Sequence, residues 1–250
     1  MKKRAKEASA ASGNWKDVAK YYDMLYKWKN YGAEASAVHE IIGHLRDKPA
    51  TTMLDAGCRT GKHTQALADN YHITGLEENR HLLDIAKKNF PKIEFVGAPL
   101  HQFNLHQRFD AIVCLFGAVN TCRSSTQLTE AIKNFSDHLN PGGVLVLEPL
   151  FTTETFKPGI PHSMHIQHND THIHRTHVPR RKSTNSAVLD FHYMITTRDG
   201  VTSVRDMHEL GLFSVEQYID TCTKHGIKAT YLEQGLAEGR GLIIGVKGKH

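Results

Sequence analysis

Short apolar runs recur along the first 150 positions, and segments with helical spacing separate them. The runs at Thr51–Asp55, His72–Glu77, Ile93–Val96, Phe109–Phe116 and Val144–Leu147 each predict a β-strand. The fourth run is almost continuously apolar, which is typical of a central parallel strand that is covered on both faces. Repeated strand–helix–strand spacing predicts a parallel, doubly wound sheet that binds ligands at the carboxyl ends of its strands.

Helices are predicted where apolar residues recur every three or four positions. The segments with this spacing start at Trp15, run from about Ala33 to Leu45, and cover Arg80–Asn89, Thr126–Leu139 and Ser214–His225. The last segment has a serine as its N-cap and a glycine just beyond its end, as expected for a complete helix. Two further strands, Lys228–Leu232 and Gly241–Val246, follow it.

The pattern changes after Pro149. Polar and apolar residues now alternate in three segments, His172–Val178, Ala187–Ile195 and Val201–His208. The sequence of Thr197–Gly200 is typical of a hairpin turn between the last two segments. We therefore expect an α/β fold, with a Rossmann-like, doubly wound, mostly parallel sheet, helices on both of its faces, and an inserted antiparallel β-sheet subdomain.

Four regions are expected along the chain. Residues 1–14 are predicted to be a disordered basic tail, and residues 15–150 a Rossmann-like ligand-binding domain with N-terminal helices. Residues 151–210 are the antiparallel insertion, available for substrate binding or dimerisation. Residues 211–250 supply a helix and strands that complete the main sheet.

Composition narrows the partners. The 250 residues are 40% hydrophobic and can bury one substantial core. The formal charge is +5, but no aromatic residues interleave with the basic runs Lys2–Arg4 and Arg180–Lys182, so nucleic acid is not a predicted partner. No apolar stretch reaches the ~18 residues of a membrane span. The four cysteines lack C-x-x-C spacing, and we expect a cytoplasmic protein with free thiols and no membrane partner.

The turn after the first strand carries the clearest site pattern. Asp55 ends the apolar run, Gly57 and Gly61 bracket the turn, and a helical pattern follows. Glycines at such a turn let a ligand approach the backbone N–H groups of a helix N-terminus. Glu77, about 20 residues further on, is placed to accept hydrogen bonds from both hydroxyls of a ribose. Arg59 occupies the position where a dinucleotide-binding turn needs its middle glycine, so pyrophosphate is not the predicted ligand.

This turn resembles motif I, D-x-G-x-G-x-G, of class I S-adenosylmethionine (SAM) methyltransferases. Within that class the sequence is similar to enzymes that N,N-dimethylate nucleotide-linked amino sugars in macrolide-type antibiotic biosynthesis. The similarity covers nearly the whole chain after residue 15. The matching stretches are Tyr22–Tyr26, Tyr31–Ala35, Asp55–Thr64, Gly75–Glu77, Pro141–Gly143, Val146–Pro149, His208, Gly211–Phe213 and Gly239–Leu242.

Three positions depart from that family. Ala98-Pro99-Leu100 replaces the usual Gly-Asp-Met beside adenine, and Pro99 offers neither a carboxylate nor an N–H. Phe116–Thr121 lacks the histidine or tyrosine that relatives can carry near the methyl donor. Leu150-Phe151 follows Glu-Pro where tryptophan is typical. These changes indicate an altered pocket.

The resemblance implies SAM as cofactor and a small-molecule amine, such as a nucleotide-linked amino sugar, as substrate. Methyl transfer from a sulfonium is an in-line displacement, so positioning can supply most of the catalysis. No essential catalytic residue is expected, only positioning by Tyr22 and Glu148. The expected cofactor-binding residues are Tyr22, Asp55, Gly57, Arg59, Thr60, Gly61, Glu77, Glu78, Leu100, Leu115 and Phe116. The expected substrate-binding residues are Tyr31, Glu148, Pro149, Arg175, His208 and Arg240.

Structural interpretations of single residues remain open beside these. Tyr22 also fits a buried core tyrosine, His208 a satisfied core histidine, and Arg175 a surface salt bridge. Arg240 lies between two glycines, where a guanidinium suits the oxygens of an anionic substrate.

Six histidines crowd one stretch and pose a separate question. They are His162, His165, His168, His172, His174 and His177. Strand alternation puts His172 and His174 on one face, which is a possible start of a zinc or copper site. No nearby cysteine and no fixed histidine spacing completes such a site, and we expect no metal.

Other functions remain compatible with the sequence. The acceptor could be an oxygen or a peptide amine, and the fold could serve as a non-catalytic SAM-binding or dimerisation module. A tRNA or rRNA methyltransferase is disfavoured because a basic surface with aromatic residues is lacking. Relatives pair through the antiparallel sheet, so the resemblance implies a possible homodimer.

Overall fold

A computed structural model describes residues 18–249. The predicted basic tail and the predicted helix start at Trp15 lie outside the described residues. A short helix, α1 (Tyr22–Leu25), and a longer one, α2 (Tyr31–Leu45), precede the first strand. The side chain of Asn30 caps α2 by accepting a hydrogen bond from the Ala33 N–H, so α2 begins two residues earlier than the apolar spacing predicts.

The first half of the main sheet alternates strands and helices as expected. Its elements are β1 (Thr52–Ala56), α3 (Lys62–Leu67), β2 (His72–Leu76), α4 (Arg80–Asn89), β3 (Glu94–Val96), β4 (Phe109–Cys114), a 3₁₀ turn (Ala118–Thr121), α5 (Ser125–Asp137) and β5 (Leu139–Leu147). The strand β5 starts five residues before the predicted Val144. Its pairing with β4 begins at Leu139 and resumes at Val144 after a register shift, so the turn-like Pro-Gly-Gly sequence lies within the strand.

The inserted sheet is antiparallel, as predicted. Its strands are β6 (His162–His168), β7 (Thr171–His177), β8 (Arg180–Ser183), β9 (Ser186–Thr197) and β10 (Gly200–Gly211). Their order is β10-β9-β7-β6, and β8 pairs with residues 186–188 of β9, on the same edge that pairs with β7 at residues 192–196. The predicted hairpin turn joins β9 to β10. The basic run Arg180–Lys182 lies in the short strand β8, in which Arg180 forms an ion pair with Asp190.

The chain then returns to the main sheet through α6 (Val215–Lys224), β11 (Ile227–Leu232) and β12 (Leu242–Lys247). The seven strands are ordered β11-β12-β5-β4-β1-β2-β3, and the last two strands of the chain run antiparallel to their neighbours. Ser214 forms a capping box with Gln217 at the start of α6. The doubly wound fold is thereby confirmed.

Both faces of the main sheet are buried. Phe135 and Tyr218 cover one face from α5 and α6, and Val38, Ile42 and Leu67 cover the other from α2 and α3. The antiparallel sheet instead packs only its inner face, against α1 and the preceding residues, through a cluster that includes Ile173, Phe191 and Leu25. No helix among residues 18–249 is both long and apolar enough to cross a membrane.

Candidate active site

The turn after β1 has the tight backbone geometry that its glycines suggest. Gly57 and Gly61 have φ values of 85° and 80°, and Gly61 is the N-cap of α3. A Cβ added to Gly57 would lie 2.3 Å from the Ala118 Cβ, so no larger residue fits. The turn therefore presents bare backbone at the carboxyl end of β1, next to β4.

Asp55 is buried at the end of β1. Its Oδ2 accepts a hydrogen bond of 2.6 Å from the Thr64 hydroxyl on α3. Burial raises the pKa of Asp55, and the neighbouring His63 and the Thr64 hydrogen bond offset only part of that rise. Asp55 thus links the strand to the helix that follows the turn.

Glu77 is fixed at the end of β2. Its two carboxylate oxygens accept hydrogen bonds from the backbone N–H of Arg59, at 2.9 Å, and from that of Asn79, at 2.7 Å. Only 1% of the side chain is exposed. The carboxylate therefore joins the turn after β1 to the turn after β2.

Two recesses adjoin this turn. The first, of about 300 Å³, is lined by Tyr22, Tyr31, Asp55, Gly57, Cys58, Arg59, Thr60, Lys62, His63, Leu115 and Phe116. The second, of about 190 Å³, is lined by Gly57, Arg59, Glu77, Glu78, Ala98, Leu100, Ala118 and Thr121. Gly57 and Arg59 line both, so the two recesses are halves of one cleft. The cleft brings together all the expected cofactor residues except Gly61, which lies in the turn beside it.

The chemistry of the two halves fits the two ends of SAM. The first half combines aromatic rings with the Asp55 carboxylate, a setting that suits a sulfonium and a charged amino-acid tail. The second half combines the carboxylate of Glu77 with the apolar Ala98 and Leu100, which suits a ribose and an adenine ring.

Phe116 forms the wall between this cleft and the rest of the site. It has a positive φ of 51°, and its backbone N–H donates a 2.6 Å hydrogen bond to Glu148 Oε2. Its ring centroid lies 4.1 Å from Lys29 Nζ and 4.9 Å from the Arg240 guanidinium. The Tyr26 ring meets it edge-on at 5.0 Å. Strain at such a residue is typical of functional sites.

Two arginines flank this aromatic pair. Arg240 Nη1 lies 3.5 Å from Glu148 Oε1, and the Glu148 side chain is completely buried. Arg175 donates a 3.2 Å hydrogen bond to the Tyr26 hydroxyl and lies 4.8 Å from the ring centroid of Phe191. The surface-salt-bridge interpretation of Arg175 is therefore wrong, because its strand position places it on the inner face of the antiparallel sheet.

The inner face of the antiparallel sheet carries further polar groups. His208 Nε2 lies 2.5 Å from the buried Asp206, and its ring meets Phe191 edge-on at 5.3 Å. Burial, His162 and Arg175 together lower the pKa of His177 to about 4. Burial raises the pKa of Tyr193, with Tyr26 adding to the rise. Of the expected substrate residues, Tyr31 lines the cleft, whereas Arg175, Glu148, His208, Arg240 and the buried Pro149 lie outside its lining.

One charged network was not identified as functional from the sequence. Lys29 Nζ donates to both carboxylate oxygens of Glu34, at 2.6 and 2.8 Å, and His63 Nε2 lies 2.7 Å from Glu34 Oε2. Burial opposes ionisation of Glu34, but the hydrogen bonds from His63 and Lys29 lower its pKa. Glu34 lies in one of the stretches that carry the family resemblance, which is the only signal that pointed to it.

The crowded histidines form stacks on the antiparallel sheet. The rings of His165 and His174 are 4.2 Å apart, and those of His165 and His172 are 5.7 Å apart, so the shared face of His172 and His174 is confirmed. Within residues 18–249, no group of three or more His, Cys, Asp or Glu side chains is arranged to hold a metal ion.

Comparisons with known proteins decide the family. A methyltransferase-domain family matches residues 53–143, which contain the turn and all of the cleft lining except Tyr22 and Tyr31. A dTDP-3-amino-3,4,6-trideoxy-alpha-D-glucopyranose N,N-dimethyltransferase of Streptomyces venezuelae is 31% identical over 234 residues, covering 92% of this chain and 98% of the relative. The chain belongs to the SAM-dependent amino-sugar N,N-dimethyltransferase family.

Solved structures agree with this family. DesVI of Streptomyces venezuelae matches this methyltransferase with a TM-score of 0.87 and 30% identity, covering 93% of this chain and 99% of that one. The SAM-bound amino pentose methyltransferase CalS10 of Micromonospora echinaspora matches with a TM-score of 0.82 and 28% identity, covering 90% and 96%. This methyltransferase uses SAM as its cofactor and transfers methyl groups to an amine.

Proposed function

We propose that this methyltransferase adds two methyl groups to the amino group of a nucleotide-linked amino sugar. The observation that carries the proposal is the placement of Arg175 and Arg240 on either side of the Tyr26–Phe116 pair. Guanidinium groups bind the oxygens of a diphosphate with charge-assisted hydrogen bonds, while aromatic rings pack against a sugar or base. The family relatives act on substrates of this class.

The cofactor roles of the cleft residues follow from the same proposal. Asp55, Gly57 and Gly61 surround the amino-acid end of SAM, with Thr60 and Leu115 beside it. Glu77 accepts hydrogen bonds from the ribose, and Glu78 lies at the edge of the same half. Leu100 packs against adenine and offers its N–H to a ring nitrogen. Support comes from the lining of the two recesses.

Catalysis in this proposal is mainly positional. SAM supplies the electrophilic methyl group, and the amine needs only a neutral lone pair aligned with it. Glu148 positions the Phe116 backbone and the Arg240 guanidinium beside the acceptor, and Tyr22 and Phe116 shield the reacting groups from water. Tyr31 and Pro149 shape the walls of the acceptor site beside the cleft. His208, held by Asp206, lines the side of the acceptor site that is farther from SAM. None of these groups forms a covalent bond with the substrate.

We also propose that the protein is a cytoplasmic homodimer. All four cysteines are unpaired and buried, which suits a reducing compartment. The antiparallel sheet exposes the apolar side chains of Met194, Val201 and Met207, and a second copy would cover them. Sedimentation equilibrium tests the dimer: Met207→Lys should shift the mass towards that of a monomer, and a wild-type monomer at micromolar concentration would contradict pairing.

Product analysis tests the function directly. Purified protein is incubated with SAM and a dTDP-linked 3-amino sugar, and the products are resolved by mass spectrometry. We expect a monomethylated product that is consumed as the dimethylated product forms, with S-adenosylhomocysteine released at each step. The matched control is the same dTDP sugar with a hydroxyl in place of the amine. Methylation of that control, or of a peptide amine but not of the amino sugar, would contradict the proposal.

A further inference from the structure

Arg59 adopts a backbone conformation that favours glycine. Its φ is 55°, between Gly57 and Gly61, which also have positive φ values. In the motif that this turn resembles, D-x-G-x-G-x-G, Arg59 stands at the middle glycine. A residue with a Cβ adopts this left-handed region at a cost in free energy, so the arginine must be held there by its surroundings.

The side chain of Arg59 lies within the cofactor cleft. Arg59 lines both halves, and only 23% of its side chain is exposed. Its guanidinium Nη1 lies 3.8 Å from Glu77 Oε1. The negative charges of Glu77 and Glu78 raise the pKa of the guanidinium further, so Arg59 carries its charge at any physiological pH.

This placement conflicts with a bound nucleoside. Glu77 already accepts hydrogen bonds from two backbone N–H groups, and Arg59 lies beside the same carboxylate that the ribose needs. The half of the cleft next to Glu77 measures about 190 Å³. Because Arg59 also lines this half, a nucleoside that binds there through Glu77 meets the Arg59 guanidinium beside that carboxylate.

We propose that the Arg59 side chain blocks the cofactor cleft in the free protein and thereby lowers the cofactor affinity. It competes with the cofactor for Glu77 and moves out of the cleft when the cofactor binds; this side chain is called the bar below. The backbone N–H of Arg59 keeps its hydrogen bond to Glu77 throughout, so only the side chain moves. The observed cofactor affinity is then the intrinsic affinity reduced by the fraction of molecules in which the bar is open. A glycine at this position, as in the family motif, has no bar.

Calorimetry with SAM and with S-adenosylhomocysteine tests the bar without any methyl acceptor. We expect Arg59→Gly to bind both ligands about tenfold more tightly, because breaking one charge-assisted contact is worth roughly that factor. Arg59→Met keeps the length of the side chain but cannot pair with Glu77. It should bind both ligands about two- to fivefold more tightly than the wild type, which corresponds to about half the binding free energy that the glycine variant gains. Arg80→Met is the matched control, since Arg80 is 89% exposed on α4, and its affinities should equal those of the wild type.

The opposite result has an equally clear meaning. If Arg59→Gly and Arg59→Met both bind the two ligands more weakly than the wild type, Arg59 is a cofactor ligand and the bar does not exist. Equal affinities in all four proteins would also overturn the proposal. Thermal unfolding of the ligand-free variants verifies folding, and Arg59→Met carries the test alone if the glycine variant unfolds. Because no acceptor is present, these outcomes are independent of the proposed amino-sugar substrate.

Discussion

The two sheets of this protein build their parts of the proposed site in different ways. The seven-stranded sheet uses the turns at the ends of β1, β2 and β4, where backbone N–H groups and bare glycines face the cleft. The antiparallel sheet uses side chains along the length of β7, β9 and β10, on the face that packs against α1. The proposed site thus combines backbone and side chains of the main sheet, such as Gly57, Asp55 and Glu77, with side chains alone from the antiparallel sheet.

This difference determines which positions of the proposed site tolerate amino-acid substitutions. A Cβ at Gly57 collides with Ala118, so a backbone cleft allows few substitutions. Side chains on one sheet face, such as Arg175 and His208, can change without altering the hydrogen bonding of their strands. We therefore expect cofactor binding to depend on the first sheet, and acceptor choice on the second. The following experiments test that division.

The largest effect is expected from Gly57→Ala. The new Cβ would lie 2.3 Å from the Ala118 Cβ at a backbone φ of 85°. We expect the affinity for S-adenosylhomocysteine in calorimetry to fall by more than ~100-fold, since the turn must shift. Gly159→Ala is the matched control, because Gly159 has a φ of 81° and nothing within 4 Å of the added Cβ. Equal losses in both variants would show that strain alone, and not contact in the cleft, explains the effect.

A smaller loss is expected from Glu77→Gln. The amide NH₂ would face one of the two backbone N–H groups that the carboxylate now accepts. An unmade hydrogen bond to a charged group costs about 1.5–3 kcal/mol, so affinity for S-adenosylhomocysteine should fall about 10- to 100-fold. The comparison is Glu78→Gln, a neighbouring carboxylate whose side chain is exposed at the edge of the same half of the cleft. Calorimetry that ranked the Glu78 variant as the weaker binder would contradict the assignment of Glu77 to the ribose.

Arg175→Met and Arg240→Met test the second half of the division. Each removes one guanidinium beside the Tyr26–Phe116 pair. We expect the KM for the amino-sugar substrate to rise about tenfold in either variant, by the loss of one charge-assisted contact. The affinity for SAM should stay within twofold of the wild type, roughly the range of a neutral substitution. A loss of SAM affinity with an unchanged KM would place these arginines on the cofactor side.

The smallest effect concerns stability at low pH. The folded-state pKa of His177 is lowered to about 4, below its usual value of about 6.5. The unfolded chain therefore binds more protons between these values, and stability falls as the pH drops from about 6.5 to about 4. In urea unfolding experiments, the free energy of unfolding of His177→Asn should fall less than that of the wild type as the pH drops from about 6.5 to about 4. If the free energy of unfolding depends on pH in the same way in the variant and the wild type, folding does not lower the pKa of His177.

The sequence predicted the arrangement of the turn after β1 better than the arrangement of the side chains on the antiparallel sheet. The spacing of Asp55, Gly57, Gly61 and Glu77 was enough, because neighbouring parallel strands bring their carboxyl ends to one edge. Arg175 was misjudged as a possible surface residue, since its face depends on the register of β7 with β9. The contact between Lys29 and Glu34 depends on how the chain enters α2, which apolar spacing does not record.

Arg59, at the middle of the turn after β1, shows a further limit of prediction from the sequence. Sequence identifies Arg59 as a departure from the glycine pattern, but not the direction of its side chain. Its position beside Glu77 depends on the distance between the ends of β1 and β2, which the parallel pairing of those strands sets.

Hydrogen–deuterium exchange with each ligand alone tests the division between the two sheets most directly. Addition of S-adenosylhomocysteine should slow exchange in the turn from Asp55 to Gly61 and at the end of β2, and leave β7, β9 and β10 unchanged. Addition of the dTDP-linked amino sugar should slow exchange in those three strands and around Arg240. Protection of the antiparallel sheet by S-adenosylhomocysteine, with none in the turn after β1, would contradict the account.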